Sequence, residues 1–531
     1  MPGYVLFTAV VLIACLLCNR LSNKLGIPML LAFIILGMFF GSDGVLKIPF
    51  DNYIFAEQIC SVALIFIMFY GGFCTKWSEA RPIAVKAILL SSLGVIMTAL
   101  ITGLFCYYVL HIELLESFLI GSVISSTDAA SVFSILRSRR LNLKYNTASM
   151  LELESGSNDP TSYMLTVLSL AAMSGTVDSK KMTYLIFAQV VYGVVFGVLV
   201  AMVAVWVLRR FRFATAGFDA IFVFAIALVA YAAPAMLNGN GYLSAYIVGI
   251  ILGNQPIKNK KALVNFFDGF TGLMQMVIFF LLGLLAFPSS LPKVMVPSIL
   301  IAIFLTFVSR PVAVFAILTP FRSKLNQQFL VAWSGLRGAA SIVFAIMVMT
   351  SPVKTDNDIF HIVFCIVLFS ILLQGSLIPV FARKLNMIDS DSDVLKTFTD
   401  YTGEVPVQFI KFTVIKDHPW KDKAIKDIVL PPDTLLVLLQ RHMRKYVPNG
   451  DTILQEGDVL VLSAKALEGF EETGLSEIFI GRDSKWAGKT VSEMSIEPDE
   501  LVVMIQRKGE IIIPSGSTIM EQEDILVVNQ M

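Results

Sequence analysis

Three carboxylates and an amide crowd into two helical turns of an otherwise apolar segment. The segment MLELESGSNDPTSYMLTVLSLAAM, residues 150–173, holds Glu152, Glu154, Asn158 and Asp159. A charge at the centre of a bilayer costs roughly 2.5–3.5 kcal/mol, so an acid that is retained there is expected to have a function. A proton or a monovalent cation can neutralise such an acid. Competition between the two for one carboxylate, exposed alternately to each side of a membrane, is sufficient for exchange.

Helical spacing sorts these polar residues into two faces. Ser155 and Asp159 are four residues apart and share one face, and Glu154 and Asn158 form a second pair about 100° around the helix. Pro160 has no N–H, so the carbonyl four residues earlier is left without its helical partner. A hydroxyl, a carboxylate and a carbonyl are oxygen ligands suited to a hard cation. The turn-forming residues of ESGSNDP also allow a loop, but a loop would leave YMLTVLSLAAM too short to cross a membrane.

Glu154 needs a partner if Asp159 alone is to titrate, because a second unpaired acid would be costly. Arg310 in FVSRPVAVF and Arg337 in GLRGAAS both lie in apolar segments. An ion pair with either arginine would keep Glu154 ionised and would hold structure rather than move protons.

Two other apolar segments carry a charge at a weak point in the helix. FLIGSVISSTDAASVFSILRS has hydroxyl side chains at residues 125–127, which compete for backbone hydrogen bonds, followed by Asp128. FLVAWSGLRGAASIVFAIMVM is interrupted by Gly335 and Gly338 around Arg337. Broken helices near the midplane are typical of transporters with a central ion site. The alternative is that Asp128 and Arg337 only form structural pairs.

The composition is that of a membrane protein. Of 531 residues, 56% are hydrophobic and 15% charged, against roughly 25% charged in soluble domains. Apolar segments long enough to span a bilayer predict about thirteen transmembrane helices before residue 387. Lys and Arg are concentrated in every second loop, and cytoplasmic loops are the ones enriched in these residues. This distribution places the N-terminus outside and the C-terminal region in the cytoplasm. The net charge of +1 argues against a nucleic-acid partner.

The C-terminal region contains an internal repeat. Trp420 and Trp486 are separated by 66 residues, and so are Asp458 and Asp524. No insertion or deletion intervenes, so the two copies are expected to fold alike. No G-x-G-x-x-G motif follows a strand pattern, which predicts the absence of a bound NAD.

Residues 1–387 resemble the cation:proton antiporter-1 family, the NhaP-like relatives of sodium/proton exchangers. The motifs that carry the resemblance are STDAAS, ESGSNDP, SRPVAV and GLRGAAS, in that order. The resemblance implies a polytopic α-helical protein of the plasma membrane with inverted repeats and two discontinuous crossing helices. It also implies a homodimer, in which each protomer has a dimerisation layer and a six-helix core.

The resemblance assigns roles to the polar residues. It makes Asp159 the cation- and proton-binding acid and Asn158 its paired amide, and this pairing implies electroneutral exchange. The further ion-site residues are Ser155, Thr127 through its backbone, and Asp128. Glu154 becomes the partner of a buried arginine, with Arg310 favoured and Arg337 nearby. Two departures from the family pattern stand out: Tyr70 replaces an acid, and Ala129 replaces a proline.

The repeated copies resemble the TrkA C-terminal (RCK_C) domain, a small α/β module. The predicted boundaries are 405–466 and 472–531, after a linker at 388–404. Such modules dimerise, and some relatives bind small ligands, cyclic di-AMP among them. The sequence therefore leaves open a cyclic-dinucleotide regulator and, as the alternative, a tail that only clamps the assembly. No other cofactor is predicted.

The favoured function is electroneutral exchange of K⁺ for H⁺ in pH, cation and volume homeostasis, with Na⁺ as the close alternative cation. The chain is thus expected to be a transporter and not an enzyme. Two other classes fit less well. A passive channel has no need of a desolvated titratable acid, and an intramembrane aspartyl protease would require a GxGD-like motif, which neither Asp128 nor Asp159 provides.

Overall fold

The computed structural model divides the chain into two compact units, Met1–Thr402 and Gly403–Met531. The residues that the structure describes are 2–25, 29–128, 131–132, 136, 141, 143–175, 178–211, 217–255, 257, 260–388, 407–414, 418–428, 430, 434–441, 444–446, 448–465, 474–480, 486, 488–493, 500–507, 510–512, 514–522 and 524–530. Ala129 and nearly all of the predicted linker 388–404 lie outside them.

The first unit is helical throughout its regular structure. Its helices are α1 Pro2–Leu25, α2 Met29–Phe40, α3 Tyr53–Cys74, α4 Trp77–Ala80, α5 Ala84–Leu110, α6 Leu114–Val123, α7 Thr147–Met173, α8 Ser179–Arg210, α9 Phe218–Ala235, α10 Gly241–Gly253, α11 Lys260–Leu285, α12 Leu291–Leu318, α13 Leu325–Trp333, α14 Ala339–Thr350 and α15 Ile359–Lys384.

Most of these helices are apolar enough for a bilayer. Within the described residues, seven have the length and hydropathy of a membrane span, and five shorter helices are also apolar. Helix α7 is continuous through Pro160 over 27 residues, so ESGSNDP lies in a helix and not in a loop. The total of about thirteen crossings stays a prediction.

Glycines allow pairs of helices to pack backbone against backbone. On α10, a Cβ added to Gly249 would lie 2.1 Å from the Phe69 carbonyl oxygen, and one added to Gly253 would lie 2.0 Å from that of Phe73. Both contacts hold α10 directly against α3. Small residues at helix interfaces favour such close packing in membranes, and larger side chains at these two positions would force the pair apart.

Three of the long helices contain a π-helical segment. These segments are Leu90–Gly94 in α5, Leu305–Ser309 in α12 and Ser370–Gly375 in α15. Such segments occur frequently at functional sites, where they change the helical register of the next turn. The segment of α12 ends directly before Arg310, and that of α15 begins at Ser370.

The second unit contains two four-stranded antiparallel sheets of the same topology. Their orders are β1-β4-β2-β3 and β5-β8-β6-β7. The strands are β1 Val407–Thr413, β2 Thr434–Arg441, β3 Arg444–Tyr446, β4 Val459–Lys465, β5 Gly474–Phe479, β6 Glu500–Arg507, β7 Glu510–Ile512 and β8 Ile525–Gln530. The two copies therefore fold alike, as the repeat predicts. An α/β module was predicted, but the described tail residues form strands and single turns of 3₁₀ helix, with no α-helix.

Each sheet has the same buried ion pair. Arg441 donates two hydrogen bonds of 2.7 Å to the Asp458 carboxylate, and Arg507 donates bonds of 2.8 and 2.7 Å to Asp524. Both aspartates are fully buried. Bidentate pairing of this kind is directional and strong, so it fixes the end of the middle strand against the loop that leads into its neighbour.

We expect Asp524→Asn to loosen the second sheet in a pH-dependent way. Burial raises the pKa of Asp524, but hydrogen bonds from Arg507 and from the Glu521 N–H outweigh it and hold that pKa below its ordinary value of 3.8. The carboxylate therefore stabilises the folded sheet at neutral pH, and this contribution is lost as the pH falls through the lowered folded-state pKa. In the full-length protein at pH 7, hydrogen exchange of β6 and β8 should be roughly 10- to 100-fold faster in the variant.

The first sheet is the internal reference for this measurement, because its own ion pair is intact. The difference between variant and wild type should shrink in acid, where the wild-type carboxylate is protonated as well. An equal difference at both pH values would contradict this account of the pair.

Candidate ion site

Two helix breaks meet inside the first unit. Helix α6 ends at Val123 and the chain is non-helical through Asp128, while α13 ends at Trp333 and α14 begins at Ala339. The Asp128 N–H donates a 2.8 Å hydrogen bond to the Leu336 carbonyl, so the two breaks are joined backbone to backbone. Both interruptions fall where the sequence predicts them.

Each break is compensated by a charge from the other. The Arg337 guanidinium donates hydrogen bonds of 2.8 and 2.5 Å to the carbonyls of Ser125 and Ser126, at the negative end of α6. In return, the Asp128 carboxylate lies against Gly338 at the start of α14, where a Cβ would come within 2.1 Å of Oδ2. A cation at a helix C-terminus and an anion at an N-terminus are both favourable. Only glycine allows this approach.

The polar face of α7 lies against the first break. The Ser126 hydroxyl donates to Asp159 Oδ1. Asn158 Nδ2 donates to Thr127 Oγ1 at 2.5 Å, and Ser155 Oγ donates to the Thr127 carbonyl at 2.7 Å. Asp159 is 7% exposed and Asn158 is fully buried. The structure thus brings four of the five predicted ion-site residues together in one cluster.

Asp128 is the fifth predicted residue, and it lies at the edge of this cluster. It accepts hydrogen bonds from the Ser131 N–H at 3.2 Å and from the Ser131 hydroxyl at 2.6 Å. Its charge also acts on Asp159. Asp128 therefore contributes to the electrostatic field at Asp159 from the point where the two breaks meet.

Glu154 forms an ion pair with Arg310. The Arg310 Nη2 donates to Glu154 Oε1, and both residues are 1% exposed. The pair lies on the second polar face of α7, directly after the π-helical segment of α12. Arg337 instead donates its hydrogen bonds to carbonyls at the end of α6. It nevertheless lies close enough to Arg310 and Glu154 to interact electrostatically with both. The two arginines thus hold different elements in place.

The oxygen atoms at this site fit a monovalent cation. Asn158 Oδ1 is buried and has no hydrogen-bond partner among the described residues. The amide nitrogen of the same side chain is bonded to the Thr127 hydroxyl, and the Thr127 carbonyl accepts the bond from Ser155. The two breaks and the adjoining face of α7 carry three carboxylates, Glu154, Asp159 and Asp128, and two guanidinium groups, which leaves one negative charge when all are ionised. One proton or one monovalent cation balances that charge.

Sequence reasoning missed the residues that support the second break. Ser370 Oγ accepts a 3.0 Å hydrogen bond from the Arg337 N–H and donates to Gln374 Oε1, and Gln374 Nε2 donates to the Trp333 carbonyl at 2.6 Å. Ser370 and Gln374 are uncharged and lie far along the chain from the residues they contact, so no sequence motif marks them. Tyr70, which replaces a family acid, donates a 3.1 Å bond to Asp268 of α11. This bond links α3 to α11 at Tyr70.

A buried acid beside two helix breaks that meet backbone to backbone is typical of a membrane ion transporter. The sodium/hydrogen exchanger transmembrane family matches residues 8–384, and the TrkA-C domain matches residues 409–466 and 475–528. The chain belongs to the sodium/hydrogen exchanger family, and it carries two TrkA-C domains. This family consists of secondary transporters and not of enzymes.

Similar proteins of known name match most of the chain. The K⁺/H⁺ antiporter NhaP of Alkalimonas amylolytica is 33% identical over 431 residues, which cover 80% of this chain and 75% of the relative. The K⁺/H⁺ antiporter NhaP2 of Shewanella baltica is 32% identical over 475 residues, 88% of this chain and 82% of the relative.

The fold is also similar to that of a solved structure. The sodium proton antiporter MjNhaP1 of Methanocaldococcus jannaschii aligns with a TM-score of 0.63 at 23% identity, over 72% of this chain and 98% of that structure. At this identity the similarity concerns the fold alone.

Proposed function

We propose that this protein exchanges a monovalent cation, K⁺ or Na⁺, for a proton across the plasma membrane in an electroneutral cycle. The observation that carries the proposal is the buried Asp159 carboxylate, next in sequence to Asn158 with its unbonded Oδ1, in a cluster with a single uncompensated negative charge. A site of that charge is neutral with one proton or one monovalent cation bound. Each turnover then moves one of each in opposite directions and no net charge.

In this mechanism Asp159 is the only group that alternates between the two ions. With a proton bound, Asp159 is neutral and Ser155 holds the Thr127 carbonyl, as in the structure. With a cation bound, Asp159, Asn158 Oδ1, Ser155 Oγ and the Thr127 carbonyl supply its oxygen ligands. Glu154 remains in its ion pair with Arg310 throughout the cycle. Arg337 and Asp128 keep the two breaks in register during the exchange.

K⁺ is the favoured cation. Two relatives that match at least 80% of this chain are named K⁺/H⁺ antiporters. The TrkA-C tandem points the same way, because the modules it resembles accompany potassium channels and transporters. Na⁺ is the second candidate, since the family takes its name from sodium exchange and the similar fold belongs to a sodium proton antiporter.

The proposed assembly is a homodimer with the N-terminus outside and the tail in the cytoplasm. The transmembrane domain spans 1–387 and contains inverted repeats; the linker and the two tail modules occupy 388–404, 405–466 and 472–531. In this arrangement the tandem regulates exchange by binding a small ligand, with a cyclic dinucleotide as the candidate. A tail that only clamps the dimer is the competing proposal. The cellular roles proposed are pH, cation and volume homeostasis.

Acidified vesicles that contain the purified protein and a pH-sensitive dye provide the test. Addition of K⁺ or Na⁺ should dequench the dye, with half-maximal response at a lower K⁺ than Na⁺ concentration over a series of pH values. Clamping the membrane potential should not change the rate, since no net charge moves. A rate that depends on the potential would contradict electroneutral exchange, and a lower half-maximal Na⁺ concentration would reverse the order of the two cations.

A further inference from the structure

Helix α7 carries three acids, and two of them, Glu152 and Asp159, lie on one stripe of its surface, apart from the Glu154 that pairs with Arg310. Glu152, Gly156, Asp159 and Tyr163 follow the spacing i, i+4, i+7 and i+11, which places them on a single face of the helix. Glu152 is half-buried and lies two turns before Asp159. An ion that moves along this stripe from the start of α7 meets Glu152 first and Gly156 next.

Two tyrosines of α10 cover this stripe on either side of Asp159. Tyr242 packs edge-on against Tyr163, with ring centroids 4.9 Å apart. Tyr246, one turn further along α10, packs against Gly156: a Cβ added to that glycine would lie 3.2 Å from Tyr246 Oη. Helices α7 and α10 are therefore antiparallel here, and Tyr246 lies on the Glu152 side of Asp159.

The Tyr246 hydroxyl is buried without a hydrogen bond. Tyr246 is 3% exposed, and its Oη has no partner among the residues described. The Thr75 and Ser157 hydroxyls lie close enough to interact with the Tyr246 hydroxyl, but neither forms a hydrogen bond of regular geometry with it. Both donate to backbone carbonyls, at 2.8 and 2.5 Å. Leaving a buried hydroxyl unpaired costs about 1–3 kcal/mol, and such groups in native structures call for an explanation.

Tyr246 is held firmly in this place. A Cβ added to Gly72 of α3 would lie 2.3 Å from the Tyr246 carbonyl oxygen, and Gly249 and Gly253 bring the next two turns of α10 onto the same helix. The α3–α10 pair therefore forms a close-packed support behind the tyrosine. Its hydroxyl lies against Gly156, which stands between Glu152 and Asp159 along α7.

We infer that Tyr246 is a specificity-determining residue for the transported cation, on the path between Glu152 and Asp159. Its unpaired hydroxyl oxygen replaces one of the waters that a monovalent cation loses on its way into the buried site. The inference rests on the proposed exchange at Asp159. It adds a ligand on α10, outside the helix breaks and outside every motif of the sequence.

The test compares Tyr246→Phe with wild type in the vesicle assay. The phenylalanine ring retains the packing against Gly156 and removes only the oxygen. We expect the KM for K⁺ to rise roughly 3- to 10-fold, as for the loss of one hydrogen-bond-strength contact, while the maximal rate stays within about twofold. The ratio of the K⁺ and Na⁺ KM values should change as well. Tyr108→Phe, at a 68% exposed tyrosine of α5, is the matched control and should leave both constants unchanged.

A structural role would give a different result. If Tyr246→Phe lowers the maximal rate or the thermal stability but leaves the KM for both cations unchanged, the inference is wrong. The same holds if all constants match wild type. The two proposals fail in different ways. Normal transport by Asp159→Asn would contradict the proposed exchange, whereas the Tyr246→Phe result bears only on the added ligand.

Discussion

Vesicles that contain Asp159→Asn are expected to show no cation-driven proton movement above that of protein-free vesicles. The amide is isosteric with the acid but carries no charge and does not titrate, so it can neither release a proton nor neutralise a cation. Asp159 is 7% exposed and accepts a hydrogen bond from Ser126. An amide oxygen can accept the same bond, and the variant should therefore fold.

The control for this experiment is the same substitution at a distant aspartate. Asp51→Asn lies in an exposed loop before α3 and should exchange at the wild-type rate. Equal thermal stability of the two variants would show that the loss at Asp159 is a loss of function. Normal exchange by Asp159→Asn would overturn the proposed mechanism at its central step.

Arg310→Met is expected to lower the stability of the folded protein by about 3–5 kcal/mol, because it leaves the Glu154 carboxylate buried and unpaired. Both partners are 1% exposed, so water cannot replace the lost guanidinium. Glu154→Gln should have a smaller effect of the same sign. The double variant Glu154→Gln with Arg310→Met should lose less than the sum of the two single losses, since no unpaired buried charge remains.

Thermal unfolding of the purified protein in detergent measures this series. Arg81→Met, at an exposed arginine before α5, is the matched control and should unfold near the wild-type temperature. Additive losses in the double variant would mean that the two side chains do not act as a pair. The series also separates the two arginines, since Arg337→Met removes the partner of the Ser125 and Ser126 carbonyls and leaves the Glu154 pair in place.

The sequence predicts the local features of the site well. Glycines around Arg337 and hydroxyl residues before Asp128 mark both breaks because they weaken a helix through their own chemistry. The sequence also predicts that ESGSNDP is helical, because a loop there would leave the rest of the segment too short to cross a membrane. The 66-residue offset predicts that the two sheets match, since equal spacing without insertions implies equal folds.

Tertiary contacts were beyond the reach of the sequence. Spacing along α7 shows which face carries Glu154, but it does not show which helix packs there, so Arg310 and Arg337 could not be separated by pattern alone. The hydroxyl of Ser126 on Asp159 and the ring of Tyr246 on Gly156 depend on how three helices meet. Such positions are set by packing, and no local pattern encodes them.

The reciprocal bonding of the two breaks has a consequence for biosynthesis. Arg337 lies 212 residues after Ser125, and at about 5–20 residues per second the ribosome needs roughly 10 to 40 s to produce the intervening chain. Until then the carbonyls at the end of α6 and the Asp128 carboxylate have no partner from the second half. The nascent chain must therefore keep its first break shielded by water, by the insertion machinery or by neighbouring helices until the second break is made and Arg337 reaches these carbonyls.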